Sequence, residues 1–147
     1  MERGFTLVEL LVVFAIVALL AAVVPLAFER LRESTQYRDT VRGMLSDIRQ
    51  ARYRALAEGR EVQFKLDLAQ RSYGVDGRSP RTVPQPLQLR AIVADIELTP
   101  AQSAGIRFLP SGGATGGTIE IVRPTGAGVR LTVDWLSGGV AQSPIAQ

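Results

Sequence analysis

The feature of the sequence that most constrains its fold is an uninterrupted apolar run near the N-terminus. No side chain from Leu10 to Phe28 is charged or strongly polar. A run of about nineteen residues is long enough for a helix to cross the hydrocarbon core of a membrane. A helix is expected because backbone polar groups in lipid must be satisfied within the segment. The run therefore predicts a helical membrane span, with a kink near Pro25, where one backbone donor is missing.

Two simpler interpretations of the run are a secretory signal peptide and a plain single-pass anchor. A signal peptide has a shorter apolar core followed by a small-residue cleavage site, and no Ala-x-Ala site follows this run. A plain anchor does not account for Glu9, which lies among apolar residues just before the run. A carboxylate in such a setting is costly unless it is paired or lies at the interface. Glu9 is therefore either an interfacial boundary or a functional residue.

The composition argues against catalysis. The chain has 0 Cys and 0 His, which removes thiol chemistry, disulfides, the common zinc ligand sets and the usual proton-transfer residue. Its only lysine, Lys65, is predicted in the middle of a strand. Residues 112–117 have the glycine spacing of a phosphate loop but lack the lysine and the following helix. We therefore expect no enzyme activity, no metal, no cofactor and no small-molecule substrate.

The net charge of +3 raises the question of nucleic-acid binding. A cluster of basic residues on one face would indicate contact with phosphates. Here the arginines are spread along the chain with acidic residues among them. Nucleic acid is therefore not the expected partner.

Residues 29–58 are predicted to continue as an amphipathic helix that ends before Gly59. Its apolar stripe is expected to pack on the domain that follows. Gly43 lies inside this helix and costs about 1 kcal/mol relative to Ala, so packing is expected to hold that turn. The stripe consists of Val41, Leu45, Ile48 and Ala55, with Met44, Ala51 and Leu56 beside it.

After Gly59 the apolar residues alternate, which predicts β-strands. Trp135 alternates with Val133 and Leu131 and is expected in the core. Residues 77–86 hold three prolines and are predicted to form an exposed loop. The predicted fold is α+β, with a long N-terminal helix packed on a small antiparallel β-sheet domain. The predicted strand segments are 62–68, 73–75, 95–98, one around Ile106 and Phe108 that stops at Pro110, and a hairpin of 118–122 with 129–136.

The segment before the apolar run carries a longer motif. Residues 4–13 read GFTLVELLVV and resemble the start of type IV pilins and type II secretion pseudopilins. The resemblance implies that a prepilin peptidase cuts between Gly4 and Phe5 and that Phe5 is then N-methylated. Glu9 would be the fifth residue of the mature chain and would form an assembly salt bridge with the terminal amine of a neighbouring subunit.

The same resemblance implies how the chain is divided. Residues 1–4 would be the prepilin leader and residues 5–28 the transmembrane and assembly helix. Residues 29–58 would be the second half of that helix, and residues 59–147 a periplasmic β domain. The protein would be a single-pass protein of the bacterial inner membrane with its C-terminal domain in the periplasm.

Three shorter segments near the C-terminus resemble the GspH family of minor pseudopilins. They read FLPSG at 108–112, TGGTI at 115–119 and VDWLSG at 133–138. The resemblance implies a structural subunit of the periplasmic pseudopilus of a type II secretion system, which helps to export folded proteins across the outer membrane. Its partners would be other pseudopilins, the prepilin peptidase and inner-membrane lipid.

One position departs from the GspH pattern. Relatives commonly carry an Arg where this chain has Gly139, which leaves any partner contact of that Arg in doubt. The alternative is a FimT-like minor type IV pilin that contributes to pilus assembly or DNA uptake. Because such pilins bind DNA through a basic C-terminal region, Gly139 disfavours this alternative.

Overall fold

The computed structural model describes residues 4–92 and 103–145, with side chains at all of these positions except 23–30. The chain divides into two compact units, Met1–Gln36 and Tyr37–Gln147. The predicted leader residues 1–3 and the predicted strand at 95–98 lie outside the described residues, and so does the side chain of Pro25.

A single helix, α1 (Leu7–Glu58), contributes to both units. It ends immediately before Gly59, whose φ of +63° is left-handed, so the predicted end of the helix is confirmed. Within the described part of the chain, no helix combines the length and the hydropathy that a membrane crossing requires. The side chains of the last part of the predicted span are outside the described set, and the span stays a prediction.

The second unit contains two antiparallel four-stranded sheets among its described residues. The first sheet has the order β3-β2-β1-β5 and the second β4-β6-β7-β8. The strands of the first sheet are β1 (Val62–Asp67), β2 (Ser72–Val75), β3 (Arg81–Thr82) and β5 (Ser103–Phe108). Those of the second are β4 (Gln88–Ile92), β6 (Gly117–Val122), β7 (Gly128–Val133) and β8 (Val140–Ile145).

The core lies between residues 41–55 of α1, which we call its second part, and both sheets. Residues at intervals of three and four fall on one face of a helix. In the second part of α1, the side chains on that face are each between 0% and 7% exposed. It comprises Val41, Met44, Ile48, Ala51 and Ala55, and it packs with Phe64, Phe108, Ile121 and Leu131 among others. Leu45 is only partly buried. The prediction for Leu56 was wrong, since this side chain is 45% exposed.

Three further points of the predicted fold need correction. Residues 77–86 are not wholly an exposed loop, because they contain β3 and the buried Val83. The first strand stops at Asp67 rather than Leu68, because the Asp67 carboxylate accepts a hydrogen bond from Gln70 N at 2.8 Å and closes a turn. The strand β8 was not predicted from the sequence at all.

The fourth correction concerns Trp135, which is 68% exposed rather than buried. The strand β7 ends at Val133, three residues before the predicted end, so the alternation does not extend to Trp135. Asp134 begins a turn in place of the strand. The physical basis of that turn is the hydrogen bonding of its carboxylate with Ser137.

Candidate functional site

The first candidate site is the start of α1. Thr6 precedes the helix, and its Oγ1 accepts a hydrogen bond from Glu9 N at 3.3 Å. Its carbonyl accepts a second from Leu10 N at 3.2 Å, so Thr6 is the N-cap. The cap places Glu9 in the first helical turn, where a carboxylate interacts favourably with the helix dipole by about 0.3–1 kcal/mol. The Thr-x-x-Glu spacing is a sequence signal of this cap that the sequence analysis missed.

The two residues of the predicted cleavage site lie in a non-helical segment before α1. Phe5 is 79% exposed. A Cβ added at Gly4 would meet no atom of residues 4–92 or 103–145 within 4 Å. The described part of the fold therefore gives no steric reason for a glycine at position 4. Glu9 is also exposed, so the structure presents all three predicted site residues to the surroundings.

Residues 7–20 form the first part of α1, and their large apolar side chains are exposed to the surroundings in the described structure. The large apolar side chains from Leu7 to Leu20 are each between 50% and 81% exposed. Soluble proteins rarely expose a contiguous apolar surface of this extent, and such surfaces mark contact with lipid or with other proteins. This segment is therefore a candidate contact surface.

The second candidate site is the turn at residues 134–139. Ser137 N and Ser137 Oγ both donate to Asp134 Oδ1, at 2.8 and 2.7 Å. The backbone closes the same turn, with Gly138 N on Asp134 O and Asp134 N on Gly139 O, both at 2.9 Å. The hydrogen bonds from Ser137 lower the pKa of Asp134 below its usual value. Asp134 is therefore charged near neutral pH.

Three segments that are separate in the sequence meet at this turn. Ala114 N donates to Trp135 O at 2.9 Å, which joins the β5–β6 loop to the turn. Arg52 on α1 donates from Nε to Ser137 O at 2.9 Å. Gly138 has a φ of +62°, and a Cβ there would lie 2.5 Å from Gly112 O. Only glycine fits this position, because the backbone of the neighbouring loop occupies the space of a side chain.

Two of these segments, the turn itself and the β5–β6 loop with its flanking residues, contain the sequences that resemble the GspH pattern. Residues 40–139 match the family described as Type II transport protein GspH, which is more than half of the chain. The chain belongs to the GspH family. Residues 1–25 match the prokaryotic N-terminal methylation motif. Both resemblances inferred from the sequence are thereby confirmed.

Relatives of this GspH-family chain agree in sequence and in fold. It is 27% identical over 143 residues to type II secretion system protein H of Xanthomonas campestris pv. campestris, covering 97% of this chain and 84% of that protein. Two structures of the minor pseudopilin EpsH from the type II secretion system of Vibrio cholerae match with TM-scores of 0.58 at 15% identity. They cover 74% and 77% of this chain and 96% and 97% of those chains. The predicted pilin-like α+β fold is confirmed.

A surface groove of about 770 Å³ adjoins the turn in this GspH-family chain. Its walls include Gly116 from the β5–β6 connection, Gly117 at the start of β6, Val133 at the end of β7, and Trp135. A second, smaller depression of about 270 Å³ is lined by Arg49 and Arg52 together with residues of the same turn. Because Trp135 was predicted to be buried, its place in this groove was not foreseen from the sequence.

Proposed function

We propose that this chain is a minor pseudopilin of a type II secretion system. It acts as a structural subunit of the periplasmic pseudopilus that helps to drive the export of folded proteins across the outer membrane, and it is not an enzyme. The observation that carries the proposal is that one helix, α1, joins an exposed apolar segment to the core of a GspH-family β domain. Membership of this family favours secretion over the FimT-like alternative of pilus assembly or DNA uptake.

The apolar first part of α1 is the membrane and assembly element in this proposal. Fully burying a large apolar side chain stabilises a protein by about 1.5–3 kcal/mol relative to leaving it in water. The side chains from Leu7 to Leu20 obtain little of this energy within the chain. Inner-membrane lipid before assembly, and the helices of other pseudopilins after it, would supply the missing apolar contacts. The β domain would then lie in the periplasm, as in the family.

The bond between Gly4 and Phe5 is the proposed cleavage site of the prepilin peptidase. Its exposed, non-helical backbone supports this assignment, since a peptidase must bind an extended segment. The open space around Gly4 supports it as well. A glycine lets another protein approach the backbone closely, because it has no side chain. Phe5, the new N-terminal residue, is the proposed site of N-methylation.

Glu9 is the proposed partner of the Phe5 amine of a neighbouring subunit. Pairing would neutralise two charges inside an apolar bundle of helices. Breaking one partner of a buried pair is costly, so the pair would fix the axial register of subunits more than it would stabilise the filament. The cap by Thr6 supports this role, because it holds Glu9 in the first turn through residues that would remain after cleavage.

The test is the intact mass and N-terminal sequence of the membrane-extracted protein from cells with and without the prepilin peptidase. We expect a chain that begins at methylated Phe5 only when the peptidase is present. Gly4→Leu should block processing, whereas Thr6→Ser, which keeps a capping hydroxyl two residues away, should be processed normally. A chain that starts at Met1 in both strains, or that is cut after residue 20, would contradict the proposal.

A further inference from the structure

The turn at residues 134–139 separates two depressions of different character. On one side is the groove of about 770 Å³, whose walls include the apolar side chains of Val133, Trp135 and Val140. On the other is the depression of about 270 Å³ that Arg49 and Arg52 line. Gly139 and Val140 line both, so the two depressions are adjacent. We call the first the tryptophan groove and the second the arginine pocket.

The tryptophan groove is held in place by backbone contacts. The carbonyl of Trp135 accepts a hydrogen bond from Ala114 N at 2.9 Å, and the Cβ of Trp135 lies close above Gly116. The backbone at this position is therefore fixed, while the side chain remains 68% exposed. A large exposed aromatic side chain on a fixed backbone beside a groove is a typical anchor of protein–protein interfaces.

The arginine pocket presents unsatisfied positive charge. Arg49 is exposed and has no hydrogen bond or ion pair with any residue in 4–92 or 103–145. Arg52 uses Nε to bind Ser137 O, which leaves its terminal nitrogens for another acceptor. The two residues are three positions apart on α1 and so point to the same side of the helix. Two guanidinium groups on one side favour a carboxylate or another anion.

We propose that the tryptophan groove and the arginine pocket form one docking site for an acidic, apolar segment of a neighbouring protein subunit. An apolar side chain of the segment packs on Trp135, and a carboxylate of the segment pairs with Arg49 and Arg52. Asp134, which lines the groove and is charged near neutral pH, disfavours a second negative group on the groove side. A nucleic-acid strand carries a phosphate at every nucleotide, so a protein segment with charge at one end fits this surface better.

Trp135 is the chain's only tryptophan, so its fluorescence reports directly on the groove. The experiment titrates the detergent-solubilised full chain with three probes and follows the emission maximum. The probes are the blocked peptide Leu-Leu-Asp-Asp, the matched peptide Leu-Leu-Lys-Lys and a short oligothymidylate. We expect a blue shift with the acidic peptide and binding at least about tenfold tighter than that of the lysine peptide. This readout does not depend on leader processing, so its failure would leave the proposed function standing.

Two charge reversals on the same helix provide the matched comparison. Arg49→Glu should remove the preference for the acidic peptide. Arg38→Glu makes the same change in charge about 16 Å further along α1 and should leave the preference intact. Arg49 contacts no described partner, so its substitution is expected to preserve the fold, which circular dichroism checks.

Three results would each overturn the docking site. The first is an equal effect of Arg49→Glu and Arg38→Glu on the binding of the acidic peptide. The second is tighter binding of oligothymidylate than of either peptide, which would make this a nucleic-acid surface. The third is an unchanged emission maximum with every probe up to about 1 mM, the weak end of measurable affinity.

Discussion

The two parts of α1 differ in what surrounds their apolar side chains, although they belong to one helix. In residues 7–20 every large apolar side chain is at least half exposed, whereas Met44, Ile48 and Ala51 are fully buried. The first part is apolar on all sides, and the second is apolar on one stripe. A helix that is apolar on all sides buries its side chains only when lipid or other helices surround it. A helix with one apolar stripe can bury that stripe against a single β domain. Helical structure alone therefore does not define the role of either part.

This difference in burial determines how each part of α1 contributes to the stability of the folded chain. Burial of the stripe stabilises the unit Tyr37–Gln147 within a single chain. In the proposed function, the apolar surface of the first part is instead covered by a membrane or a filament. Substitutions in the second part should therefore change folding, and substitutions in the first part should change assembly.

The largest expected effect compares two phenylalanines. Phe108 is fully buried against the stripe, and Phe14 is 67% exposed on the first part of α1. Phe108→Ala should lower the free energy of unfolding by about 3–5 kcal/mol, because it removes buried area and leaves a cavity. Phe14→Ala should leave that free energy unchanged. Urea denaturation of the detergent-solubilised chain, followed by circular dichroism, measures both. Comparable losses in the two variants would refute the separation of roles.

An intermediate effect is expected at Gly43, in the second part of α1. Alanine is favoured over glycine in helices by about 1 kcal/mol, so Gly43→Ala would stabilise an unconstrained helix. Here a Cβ would collide with the Tyr73 hydroxyl and would lie 3.1 Å from Arg81 Nη1. We expect a net loss of about 1–3 kcal/mol of unfolding free energy, measured in the same urea experiment.

Tyr73→Phe provides the control for this prediction, since it removes the hydroxyl that a Cβ at Gly43 would meet. In the Tyr73→Phe background, Gly43→Ala should cost less than it does alone. A double-mutant cycle gives the interaction energy between the two positions. If Gly43→Ala stabilises the protein, or if the two changes are simply additive, the close approach of Tyr73 does not explain the glycine.

The smallest expected effect concerns the N-cap of the first part. Thr6→Ala removes the acceptor for Glu9 N and should weaken the start of α1 by about 1 kcal/mol. In Thr6→Ala, the amides of the first turn should exchange faster with deuterium, because the cap stabilises only this turn. The urea midpoint of the β domain should stay constant. Thr6→Ser keeps the hydroxyl and should retain slow exchange. A shift of the urea midpoint with Thr6→Ala would show that the two parts are coupled.

Several features of the fold follow from local patterns and were predicted from them. The end of α1 is set by Gly59, which adopts a left-handed conformation without a steric penalty. The inward residues of β1 follow from strict alternation, as Val62, Phe64 and Leu66 are all buried. The buried stripe of α1 follows from its helical spacing, with Leu56 as the exception because the stripe ends before it.

The failures of prediction share a different cause. Alternation at residues 131–135 does not say where the strand stops, and the Asp134–Ser137 hydrogen bonds decide that it stops at Val133. The strand β8 contains Pro144 and lacks an alternating apolar pattern, and it is recognised only through its pairing with β7. Val83 is buried within a segment whose prolines indicated an exposed loop. In each case the structure depends on hydrogen bonds or packing with other residues, which the local sequence pattern does not reveal.

The sequence by itself determined the family, through the motif at residues 4–13 and the three shorter segments near the C-terminus, because these depend on residue order alone. It also determined the helix and most of the strands, because their periodicity is local. Only the tertiary structure decided that the three C-terminal segments meet at one turn, that Trp135 is exposed there, and that Arg49 and Arg52 lie beside it. The physical reason is that the surface arises from contacts between α1 and loops more than sixty residues away, such as the bond from Arg52 to Ser137 with its sequence separation of 85.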